Sequence, residues 1–100
     1  MSPFDRLQKA NTIDNLWIYI LSLAELRPIY AYELQKEIEK KFGFQSGKIT
    51  PYRVLYRLEN EGFVKSKLQE RKRIYQITKK GEKELKKAKN FYRNLLLGLN

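Results

Sequence analysis

Residues 13–26 place apolar side chains on nearly every side of a helix. Ile13, Leu16, Trp17, Ile18, Tyr19, Ile20, Leu21, Leu23, Ala24 and Leu26 fill almost the whole circumference at 100° per residue. Such a helix must be buried on more than one side. A chain of 100 residues has room for one core and few other elements, so a second copy of the chain is a natural further cover. The most apolar run, Leu16 to Ala24, is broken by Ser22 and falls far short of the roughly 20 residues a membrane span requires. Thr12 is placed to cap this helix, Asp14 suits its first turn, and Pro28 ends it.

The flanking segments read as shorter elements. Residues 2–10 allow two readings, a frayed arm or a short helix with Ser2 as cap, Pro3 at its first position and Asp5 completing a capping box. Residues 31–42 space Leu34, Ile38 and Phe42 as one helical stripe, and Gly43 stops it. After a loop over 43–49, Thr50-Pro51 opens a helix that runs to about Glu61 and stops at Gly62. Pro51, Val54, Leu55 and Leu58 share its inner side; Thr50, Arg53, Tyr56, Arg57 and Asn60 face away. Phe63–Leu68 and Arg73–Thr78 alternate as two strands around the polar turn Gln69-Glu70-Arg71-Lys72, a hairpin with a basic tip and an open register. Residues 79–99 form a last helix. Leu85, Ala88, Tyr92, Leu95, Leu96 and Leu99 make one stripe with Phe91 at its edge, while Lys80, Lys83, Lys86, Lys87 and Arg93 occupy the rest. This stripe projects past the hairpin and calls for a partner.

Charge narrows the partner. The net charge is +10, and it is uneven. Residues 1–62 hold nine basic and eight acidic side chains; residues 63–100 hold twelve and three. A cationic back half suits a polyanion, either nucleic acid or an anionic membrane surface. The chain has no Cys and no His, which excludes disulfides, thiolate or imidazole metal sites, Cys nucleophiles and His general bases. Glu33, Glu37 and Glu39 are spaced as an exposed helix face, not as a catalytic pair. The expectation is no catalytic residue, no metal, no cofactor and no enzyme activity, in a cytoplasmic, nucleoid-associated protein without a signal peptide.

Two helices, a turn and a two-stranded hairpin make a winged helix-turn-helix: a mainly α fold with a small β-hairpin. It occupies residues 13–78, with the wing at about 63–78, an N-terminal arm or short helix at 1–12 and a long C-terminal dimerisation helix at 79–100. In such folds the second helix of the pair enters the major groove and the wing lies along phosphates or the minor groove. The residues resemble the PadR-like family of transcriptional regulators. Pro28-Ile-Tyr-Ala-Tyr-Glu-Leu34 looks like that family's Pro-Leu-Tyr-Gly-Tyr-Glu-Leu opening. Tyr52-Arg-Val-Leu-Tyr-Arg-Leu-Glu-Asn-Glu-Gly-Phe-Val64 looks like its reading helix and exit. Arg71-Lys-Arg-Ile-Tyr-Gln-Ile-Thr-Lys-Lys-Gly81 looks like its wing and close. Ala31 stands where the family usually has Gly, and Pro51 where it has Leu, so base preference does not carry over.

The resemblance implies a homodimer joined through the N- and C-terminal helices, in the short branch with one C-terminal helix. It implies repression of nearby genes, often relieved by a small molecule. The expected contacts to double-stranded DNA are Lys48, Thr50, Tyr52, Arg53, Arg57, Arg71, Lys72 and Arg73; Tyr30 and Tyr32 are read either as hydroxyl donors to phosphates or as packed residues, with at least one of them packing. The expected dimer interface is Leu16, Trp17, Ile20, Leu85, Ala88, Phe91, Tyr92, Leu95, Leu96 and Leu99. Trp17, Phe91 and Tyr92 are candidates to line a cavity for a small planar aromatic effector. Two rival readings are a charge-driven architectural DNA binder and a protein that rests on an anionic membrane through helix 79–99.

Overall fold

The computed structural model describes residues 1–100. Its elements run α1 (Pro3–Ala10), α2 (Leu16–Leu26), β1 (Ile29–Tyr30), α3 (Leu34–Phe42), α4 (Thr50–Asn60), β2 (Val64–Gln69), β3 (Lys72–Ile77) and α5 (Lys79–Gly98). Of the two readings of residues 2–10, the helix is the one realised. Ser2 Oγ accepts from the Asp5 amide, and the Asp5 carboxylate accepts from the Ser2 amide, both at 3.0 Å. None of its residues is buried, and Phe4 and Leu7 are exposed.

The next helix starts later than its periodicity suggests. Ile13–Asn15 form a tight 3₁₀ turn, and α2 proper begins at Leu16. Thr12 caps nothing; its hydroxyl donates back to the Gln8 carbonyl at 2.7 Å. Leu16, Ile20, Leu21, Leu23 and Ala24 of α2 are all buried, against α3, α4, α5 and β3. The single chain therefore covers most of this helix by itself. Leu16, Ile20 and Leu85, expected at a dimer interface, are at most 1% exposed inside the protomer's own core, and Ala88 is buried with them. Leu16, Ile20 and Leu85 thus have almost no surface left to offer a partner and act as core residues of the protomer.

The sheet has three strands, in the order β1-β3-β2. The third, β1, is too short to show an alternating pattern; Ile29 pairs with Tyr75 and Tyr30 with Ile74. The β2–β3 register runs from Val64↔Ile77 to Gln69↔Lys72. The turn is therefore only Glu70 and Arg71, both with positive φ (50° and 67°), as a two-residue hairpin turn requires. A 3₁₀ turn at Ala31–Glu33 leads into α3, which buries Leu34 and Ile38. At α4 the helix starts one residue earlier than a Thr50 cap would place it. Ile49 is the cap position, and Thr50 is the first helical residue, with no capping bond. Pro51, Leu55 and Leu58 anchor α4 to the core.

Thr78 caps α5, its hydroxyl accepting from the Gly81 amide at 3.1 Å. Gly81, Leu85 and Ala88 hold the first half of α5 against the body, and nothing after Ala88 is buried. The second half projects, so the chain measures 49 × 28 × 21 Å. Its radius of gyration is 14.3 Å, against about 13 Å for a compact domain of this length.

Candidate nucleic-acid interface

Three structural units meet around the exposed side of α4. The loop before it carries Lys48 and Ile49, both exposed. Along α4, Arg53, Tyr56 and Arg57 are exposed, while Thr50 and Tyr52 are half-buried. The hairpin stands beside the helix with Arg71, Lys72 and Arg73 exposed at its end. A small cleft joins Lys48 to Tyr32, Gln35, Pro51 and Tyr52 at the helix entry. A larger one, about 390 Å³, lies between α4 and the hairpin and gathers Tyr32, Tyr52, Tyr56, Glu59, Lys72, Arg73 and Tyr75. Thus Lys48, Tyr52, Lys72 and Arg73 do lie around one continuous region.

That region is internally tied. The Lys72 ammonium sits 4.7 Å from the centre of the Tyr32 ring, and Tyr32 stacks on Tyr30 at 5.5 Å. Arg73 Nη1 donates to Ser66 Oγ at 3.2 Å, and Ser66 is hydrogen-bonded to the Glu59 carboxylate. Burial, and then the Glu59 charge, push the Tyr75 phenol above its ordinary value. Arg57 lies elsewhere. It lines a cleft of about 300 Å³ with Asp14, Trp17, Glu61, Phe63 and Glu84, on the side of α4 toward α2 and α5.

Trp17, Phe91 and Tyr92 lie together in the folded chain. They line a cleft of about 350 Å³ between α2 and α5, with Ile18, Lys87 and Ala88. α5 packs on α2 here, and burial, and then Tyr92, push the Tyr19 phenol above its ordinary value. No group of three metal-ligating carboxylates is present, and no helix is long and apolar enough to cross a membrane. Sequence reasoning passed over Ile49 and Gln35. Ile49 is an apolar residue outside the buried stripe and directly before the helix start, and that was the available signal.

A helical pair whose second member exposes a basic face, with a basic β-ribbon at its side, defines a winged helix-turn-helix of the kind found in transcriptional regulators. The chain belongs to the transcriptional regulator PadR-like family, whose sequence profile matches residues 20–87. Members of that family regulate transcription and are not enzymes. A transcriptional regulator from Clostridium thermocellum is 28% identical and superposes with a TM-score of 0.79, over 100% of this chain and 95% of that one. A PadR family regulator from Clostridium difficile is 26% identical, with a TM-score of 0.76 over 84% of this chain and 93% of that one. Bacillus subtilis PadR, solved in complex with operator DNA, shares the fold at 23% identity and a TM-score of 0.64, over 76% of this chain and 47% of that one. No curated protein matches the chain by sequence.

Proposed function

We propose that this regulator is a homodimeric, sequence-specific binder of double-stranded DNA that represses transcription in the cytoplasm and answers to a small planar aromatic effector. The observation that carries the DNA reading is the basic, exposed surface shared by α4 and the hairpin, with Lys48, Arg53 and Arg71 spaced along it. The operator complex of Bacillus subtilis PadR supports it. In this reading Thr50, Tyr52 and Arg53 meet base edges or the adjoining phosphates, Lys48 and Arg71 hold phosphates, and Arg57 reaches the backbone from the far side of α4. Ile49 offers the kind of apolar contact that suits a thymine methyl group.

The exposed apolar residues of α5, Phe91, Leu95, Leu96 and Leu99, favour a dimer. Two copies of α4 then enter successive major grooves roughly 34 Å apart, on a near-palindromic site. The Trp17–Phe91–Tyr92 cleft is the effector site of this reading, because an occupant there touches both α2 and the dimerising helix. The test is titration of the upstream fragment of its own gene at several salt concentrations, against random DNA of equal length. Tight, salt-dependent binding with a strong preference for the upstream fragment is expected. Equal affinity for both fragments would instead support the architectural binder.

A further inference from the structure

We propose that Lys72 and Arg73 are positioning residues that fix the wing on the reading helix, and that Arg71 alone of the basic triplet holds a phosphate. The inference rests on the DNA reading above and divides its wing into two kinds of residue. Strand alternation puts Lys72 and Arg73 on opposite faces of the ribbon. Arg73 pairs with Leu68 and shares a face with Ser66 and Tyr75, toward α4; Lys72 pairs with Gln69 on the other face. Each of the two makes one tie to the body.

On the inner face, a serine hydroxyl has one hydrogen to give and lone pairs to receive. The Glu59 carboxylate can only accept, so Ser66 donates to Glu59 and accepts from Arg73 Nη1. A guanidinium and a carboxylate at the two ends make both bonds charge-assisted. Glu59 belongs to α4, so this relay runs from the wing to the reading helix. Lys72 reaches over Tyr32, in the turn that leads into α3, at the rim of the cleft that also holds Arg73. Val64 and Tyr75 anchor the base of the hairpin in the core, but every residue from Lys67 to Arg73 is exposed, so apolar packing does not reach the tip. The two ties hold it in its place.

Arg71 differs. Its backbone is held at φ 67°, where glycine is favoured, and its side chain makes no hydrogen bond or ion pair within the chain. A long cationic side chain at a strained tip is placed for an outside anion.

The test uses the full chain and four variants: Arg71→Gln, Arg73→Gln, Ser66→Ala and Glu59→Gln. Operator affinity is measured across salt concentrations, and amide exchange of residues 66–74 is measured without DNA. Arg71→Gln should lower the slope of log affinity against log salt by about 1 and leave wing exchange unchanged. Ser66→Ala and Glu59→Gln should weaken binding several-fold at unchanged slope and speed wing exchange. Glu59→Gln is decisive, because removing an acid beside a polyanion tightens binding if that acid has no structural task. Tighter binding by Glu59→Gln, unchanged wing exchange in both tie variants, or a slope loss in Arg73→Gln equal to that of Arg71→Gln would each overturn the proposal. Wild-type protein that fails to bind DNA overturns the DNA reading itself, and the exchange data separate that failure from a failure of the ties.

Discussion

A methyl group on Gly81 would stand 2.1 Å from the carbonyl oxygen of Phe63. That carbonyl already accepts from the Thr78 amide at 3.1 Å, and the Thr78 hydroxyl donates to the Gly62 carbonyl at 2.7 Å. The start of α5 is thus pressed against the turn that follows α4. Gly81→Ala must push backbone aside, with a cost of about 1–3 kcal/mol typical of overpacked sites. Gly98, with nothing within 4 Å of an added Cβ, is the control; Gly98→Ala should leave stability unchanged or slightly higher. Thermal melts of the two variants check this, and equal melting temperatures would contradict the packing described.

The same junction accounts for a second expected loss. Thr78→Ala removes the α5 cap and the bond to Gly62 together. A lost cap costs about 0.5–2 kcal/mol. Denaturant midpoints should fall accordingly, whereas Thr12→Ala, which removes no cap, should fall less.

Acid should weaken the entry to α3. The hydrogen bond from Arg27, 3.1 Å from Glu33 Oε2, holds the Glu33 carboxyl below its ordinary value, and the Tyr30 amide also donates to it at 3.0 Å. A carboxyl depressed in the folded state stabilises that state above its unfolded value, and the benefit is lost as pH falls through the folded one. The loss therefore begins as pH drops below about 4.5. The pair is partly exposed, so the effect is about 1 kcal/mol or less. Urea midpoints across this range should slope less for Glu33→Gln than for wild type; parallel slopes would show that the pair contributes nothing.

Which parts of this architecture were legible follows from how each is encoded. Leu34 and Ile38 announce themselves through periodicity and lie where the pattern puts them, whereas the Thr50-Pro51 signal marks the start of α4 to within one residue, Ile49 taking the cap position expected for Thr50. The strand Ile29–Tyr30 is two residues long and exists only because β3 offers it an edge, so no local pattern marks it. Leu16, Ile20 and Leu85 look alike whether a chain buries them alone or shares them with a copy. Only packing showed that the protomer suffices. At the wing, the basic residues were plain, but their ties to Ser66, Glu59 and Tyr32 depend on strand register, which a turn without Asn-Gly leaves open.

Arg53 is the sharpest test of base reading. It is exposed in the first turn of α4, two residues after the buried Pro51 that fixes the helix start. Arg53→Ala should cost about 1–3 kcal/mol on the preferred operator and relax specificity at one position in each half-site, as loss of a bidentate base contact does. A uniform loss across all sequences, with a salt slope reduced by about 1, would assign Arg53 to a phosphate instead. Competition binding against single-base operator variants distinguishes the two.

The proposed dimer can be tested apart from folding, because folding rests on the first half of α5 and the dimer reading on the second. Leu85 is in the core, whereas Leu96 and Leu99 are 68% and 73% exposed and touch nothing the protomer needs. Leu96→Glu with Leu99→Glu should leave the melting curve of the isolated fold in place while sedimentation shifts from dimer to monomer. Leu85→Glu should unfold the chain outright, since it buries an unpaired charge. The double variant should also lose operator affinity, because two half-sites roughly 34 Å apart are held by one complex only when both reading helices arrive together. A monomeric wild type would overturn the dimer, and a double variant that stays dimeric would move the interface away from the end of α5.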